Sequence, residues 1–118
     1  MPKITTDCNK FLKKLEKTKP RITKQIGKKL KEFHYNGSGK NGSLGIMGDC
    51  KAHKLYLTTP FGEFRLIVIN NALIDILLVE AYAKNAKQDL TLDEYKQIKP
   101  MLIKCQSIEF WQSLEDLK

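Results

Sequence analysis

The chain has 118 residues, with 21 Lys+Arg against 13 Asp+Glu and a formal net charge of +8. That length forms one domain, residues 1–118, able to bury a core without help from a disulfide or a metal. Its longest apolar runs, 66–69 and 76–79, fall far short of the ~18 residues that a membrane span requires. No apolar leader or small-residue cleavage site follows the N-terminal lysines, so a cytoplasmic protein with no membrane contact is expected. Cys8, Cys50 and Cys105 are odd in number and widely spaced, without a Cys-x-x-Cys pair. Three reduced thiols follow, and neither a disulfide framework nor a zinc site is suggested.

The charge is concentrated in one half. Residues 1–60 hold 14 basic and 4 acidic side chains, whereas residues 61–118 hold 7 and 9. A basic half of this kind points to a polyanion, because lysines that neutralise phosphates release condensed counterions.

In chain order, residues 3–5 predict a short strand. Asp7 is the expected N-cap of a helix carrying Cys8, Phe11, Leu12 and Leu15. Pro20 is expected to open a second helix with Ile22, Ile26, Leu30 and Phe33 on one stripe and lysines elsewhere. Residues 35–50, rich in glycine, asparagine and serine, predict a flexible loop. Strands are expected over 53–58, 63–70 and 73–83, the last two joined at Asn70-Asn71. Thr91 to Glu94 forms a capping box for a helix that Pro100 breaks, and 105–118 predicts a helical extension capped by Ser107. The fold class is α+β: a small antiparallel or mixed sheet in the order β-α-α-β-β-β-α. Two N-terminal helices are expected on one face, with a C-terminal helix or helices after the sheet.

Strand alternation sorts side chains by face. Leu55, Leu66 and Leu77 are assigned to the helix-packed side. Lys54, Arg65, Tyr82 and Lys84 then gather on the other side, an open cationic surface that also takes Tyr56. His53 adjoins this surface, although parity turns its ring inward. His34, at the end of the second predicted helix, suits a cap on the helix dipole. The segment Gly37-Ser38-Gly39-Lys40-Asn41-Gly42-Ser43 is no phosphate-binding P-loop, since it lacks the first glycine and the Ser or Thr after the lysine. No Ser-His-Asp or Cys-His set has motif support. Phe110 and Trp111 are assigned to the core or to a partner contact.

From Glu63-Phe64-Arg65-Leu66-Ile67-Val68-Ile69, through Leu77-Leu78-Val79-Glu80-Ala81-Tyr82-Ala83-Lys84-Asn85, to Leu90-Thr91-Leu92-Asp93-Glu94, the chain resembles the RelE superfamily of bacterial toxins, most closely its HigB-like branch. The resemblance implies a RelE/ParE-like fold and a toxin that cleaves mRNA in the ribosomal A site without metal or other cofactor. It also implies a cognate antitoxin that silences it. Matched by position, Lys54, Arg65 and Lys84 are the implied catalytic residues. Lys51, His53, Tyr56, Tyr82 and Lys87 are the candidate RNA-binding set. The chemistry suits these types: Arg65 clamps a phosphate bidentately, and Lys54 or Lys51 serves as base if neighbouring cations depress its pKa. Lys84 stabilises developing charge or donates a proton. The pattern is departed from where Tyr56 replaces a common arginine and where 58–62 lacks basic residues. Two other functions remain open: a ParE-like, non-enzymatic inhibitor of DNA gyrase, and a basic RNA-binding module without toxicity.

Overall fold

A computed structural model describes residues 1–37, 41–87 and 89–118. The elements in order are β1 (Lys3–Ile4), α1 (Thr6–Glu16), α2 (Ile22–Asn36), β2 (Asn41–Met47), β3 (Cys50–Thr59), β4 (Gly62–Asn71), β5 (Asp75–Ala83), α3 (Leu92–Lys96), α4 (Ile98–Lys104), α5 (Ile108–Ser113) and β6 (Glu115–Asp116). The strands form a mixed sheet in the order β2-β3-β4-β5-β1-β6, with β1 parallel to β5 and every other pairing antiparallel. The α+β class is therefore observed. None of the described helices is long and apolar enough to cross a membrane.

The helix starts explain two shifts from expectation. Thr5, not Asp7, caps α1, its hydroxyl accepting from the Cys8 N–H. Helix α2 begins at Ile22 after Arg21 takes a left-handed conformation at φ 68°. No side chain at that position caps it. Instead the Glu16 carboxylate accepts from the N–H groups of Arg21 and Thr23 and from the Thr23 hydroxyl, satisfying donors that a helix start leaves unpaired. These bonds hold the Glu16 carboxyl below its ordinary pKa.

The glycine-rich stretch is a correction. Helix α2 runs to Asn36, closed by Gly37 at φ 62°, and 41–47 is strand β2 paired with β3. Ser38, Gly39 and Lys40 of the expected loop lie outside the described residues. Strand β2 is paired on one side only and shifts register between Ser43 and Gly45. A bulged edge strand tolerates glycine that a central strand would not. The 105–118 extension is likewise corrected: α5 ends at Ser113 and β6 pairs with β1. The β4–β5 turn uses 72–74, one step beyond Asn70-Asn71. The break before α4 falls at Gln97, three residues before Pro100, while the Thr91–Glu94 capping box forms as expected.

Helices cover both faces of the sheet, not one. Helices α1 and α2 bury Leu12, Ile22, Ile26 and Leu30 against Leu55, Phe64, Leu66 and Leu78. On the opposite face, Ile98, Leu102 and Trp111 of α4 and α5 pack on Cys50, Ala52, Ile69 and Leu77. Leu77 thus leaves the Leu55/Leu66 side. A register shift is the reason: Ile67 opposes Glu80 but Val68 opposes Leu78, so one extra residue, Val79, reverses the alternation along β5. Trp111 is fully buried and donates its indole N–H to the Cys105 carbonyl at 2.8 Å, which makes it core. His34 lies in the last turn of α2 as expected and also bridges that helix to β4, its Nδ1 lying 2.6 Å from Asn70 Oδ1.

Candidate functional site

The β3–β4–β5 ladder builds the site. Tyr56 stands opposite Arg65, Arg65 opposite Tyr82, Lys54 opposite Ile67, and Ile67 opposite Glu80. Opposed residues project to the same face, so Lys54, Tyr56, Arg65, Glu80 and Tyr82 share one. Just past β5, Lys84 joins them. Its N–H donates to the Glu63 carbonyl, and its Nζ lies 3.4 Å from Glu63 Oε2, two residues from Arg65 along β4. Lys87 folds back over the Tyr82 ring, 4.8 Å from its centroid.

This surface is less open than strand alternation predicts. Arg65 is 8% exposed, its guanidinium 4.3 Å above the Tyr56 ring and one nitrogen donating to the Phe64 carbonyl. Tyr82 is 4% exposed, and its buried hydroxyl has no hydrogen-bond partner among the described residues. Strand β5 and the segment after it supply carboxylates to the cations. Lys54 pairs with Asp89 at 3.4 Å, and Lys87 with Glu80 at 2.8 Å and Glu94 at 2.6 Å.

Glu80 and Glu94 are the functional candidates that sequence reasoning missed. Burial, and then its hydrogen bond with Glu94, raises the Glu80 pKa, whereas the same bond, with help from Lys87, lowers Glu94 to about 2. Of the two carboxyls that share the Lys87 ammonium, Glu80 is therefore the more readily protonated. Burial works against the charged form of Lys87, yet its bonds to Glu80 and Glu94 carry its pKa above the ordinary value. Tyr82 is pushed up by burial and by Asp89. In Glu94 the only sequence signal was its role in the capping box. In Glu80 there was none, because its neighbours are set by register.

Two predicted residues lie elsewhere. His53 opposes Val68 and packs edge-on against Phe33 of α2, ring centroids 4.8 Å apart. Burial, followed by Lys51, lowers its pKa and favours the neutral ring. Lys51 opposes Asn70, the residue that contacts α2 through His34. Both therefore belong to the α1/α2 face, because odd-numbered residues of β3 point away from Lys54 and Tyr56. Lys51 cannot act as base beside Arg65 from there. Among the described residues, no group of three or more His, Cys, Asp or Glu side chains is placed to hold a metal ion.

No protein-family model, curated protein or solved structure matches this chain.

Proposed function

We propose that this chain is a RelE-like toxin: a metal-independent endoribonuclease that cuts mRNA in the ribosomal A site and is neutralised by a cognate antitoxin. One observation carries the reading. Lys54, Arg65, Tyr82 and Lys84, far apart in sequence, meet on one face of three adjacent strands, and Glu80 adds a carboxyl group suited to proton transfer. The order β-α-α-β-β-β-α also recurs within the observed elements, with β2, the extra C-terminal helices and β6 added.

The chemistry follows from the residue types. A ribose 2′-oxygen attacks the adjacent phosphorus, the P–O5′ bond breaks, and a 2′,3′-cyclic phosphate and a 5′-hydroxyl result. Arg65, released from Tyr56, grips two phosphate oxygens and offsets their developing charge. Glu80 or Lys54 takes the 2′-hydroxyl proton, and Lys84 or Lys87 supplies one to the departing 5′-oxygen. A pKa lifted above the usual carboxylate value brings Glu80 nearer the working range of a general acid or base.

A second reading, an RNA-binding module that does not cut, draws support from the carboxylate beside each of Lys54, Lys84 and Lys87. Mapping transcript 5′ ends after brief expression separates the two. Codon-phased cuts within reading frames, lost in Arg65→Ala, are expected. Full growth arrest and unchanged cutting by Arg65→Ala would remove Arg65 from the catalytic set, absence of cuts in the wild type would remove the nuclease assignment, and DNA breaks dependent on gyrase would instead indicate a ParE-like inhibitor.

A further inference from the structure

Residues 6–36, the helical hairpin of α1 and α2, hold ten basic side chains against three carboxylates, a net +7 of the chain's +8. Among the described residues, none of the ten forms an ion pair. On the sheet face the reverse holds, each lysine having its carboxylate. Of the hairpin's own acids, Glu16 is committed to the start of α2.

The lysines also form stripes. Lys10 and Lys13 on α1, with Lys17 at its C-cap, and Lys24, Lys28 and Lys31 on α2 are all exposed and recur at three- and four-residue spacing, which places each set on one helix face. Lys13 and Lys24 line a single groove with Arg21 and Lys118, where Glu16, Glu115 and Asp116 also lie, so the two stripes adjoin at a mixed-charge groove and are wholly basic outside it. Like charges at this spacing repel and weaken a helix. Such a surface becomes favourable when a polyanion lies on it. Lys24 to Lys31 spans ~10 Å, a length over which a duplex carries about six phosphates.

We infer that the outer face of the α1–α2 hairpin is a docking surface for the phosphate backbone of folded RNA, separate from the Arg65 face. A lipid surface fits less well. The apolar stripes of both helices are spent in the core on Ile22, Ile26, Leu30 and Leu12, and an interfacial helix needs that stripe free. Base-specific reading is not expected, because the stripes are lysine, a point charge without the bidentate geometry of arginine. The choice of RNA over DNA rests on the function proposed above; the docking of phosphates does not.

The test is fluorescence anisotropy with a 2′-O-methyl RNA hairpin of about 20 base pairs, titrated at several salt concentrations. This probe cannot be cut, so binding is read independently of cleavage. The triple variant Lys24→Gln/Lys28→Gln/Lys31→Gln should weaken binding and reduce the slope of log K against log salt by about 0.9 per lysine. Lys96→Gln/Lys99→Gln/Lys104→Gln removes the same charge from exposed positions on α3 and α4 and should leave binding near wild type. Equal losses in both triples, an unchanged α2 triple, or no binding by the wild type would overturn the inference. So would tighter binding to duplex DNA, or equally effective displacement by poly-glutamate. Glutamine keeps the helix propensity of lysine, and circular dichroism confirms that each variant is folded.

Discussion

Trp111 anchors the layer that sequence patterning did not foresee on the second face of the sheet, and its truncation measures that layer's worth. It is 1% exposed. A buried tryptophan removes about 150–250 Å² from water, worth roughly 4–6 kcal/mol at ~25 cal/mol per Å². Measured Trp→Ala losses of about 3–5 kcal/mol agree. Its indole N–H also donates to the Cys105 carbonyl, which accepts from the Cys50 thiol as well at 3.1 Å. Trp111→Phe keeps a ring in place and loses that one bond, about 1 kcal/mol, plus part of the area. Trp111→Ala should therefore cost about 3–5 kcal/mol, against a whole-domain stability of about 5–15 kcal/mol. Trp111→Phe should cost about half as much or less. The assay is urea unfolding followed by far-ultraviolet circular dichroism, because Trp111 is the chain's single tryptophan and its fluorescence disappears in both variants. A loss below about 1 kcal/mol in Trp111→Ala would refute the packing of α4 and α5 against the sheet.

Two further outcomes follow from the site. Tyr82→Phe removes a buried hydroxyl that has no partner among the described residues, so the variant should melt at the wild-type temperature or higher, gaining up to about 1 kcal/mol; a lowered midpoint would show that the hydroxyl is satisfied. Glu94, lowered from 4.5 to about 2, contributes stability that is present above its unfolded pKa and is lost as pH falls through the native value. The stability difference between wild type and Glu94→Gln should accordingly shrink as pH drops from about 6 to about 2.5, and a constant difference would exclude the Glu80–Lys87–Glu94 cluster.

Much of the site's geometry was legible because period-2 alternation is a strong local signal. Lys54, Arg65 and Tyr82 fall on one face by parity alone, and the ladder agrees. What escaped depends on events that leave little local trace. The extra residue at Val79 moved Leu77 to the opposite face. Strand β2 is an edge strand rich in glycine, so its composition read as loop although its backbone pairs with β3. The stripe of Ile98, Leu102 and Trp111 is split over two short helices and so lacks the length at which helical periodicity can be read with an assigned target. Lys51 and His53 were grouped with Lys54 through proximity in sequence, which in a strand places neighbours on opposite faces.

The short pairing of β6 with β1 has a consequence for self-association. An uncovered border of a sheet is a template on which identical chains can stack. Here one border is two residues long, and both, Glu115 and Asp116, are negatively charged and exposed. The opposite border bends at Gly45. Neither offers the long, flat, uncharged rail from which fibrils grow.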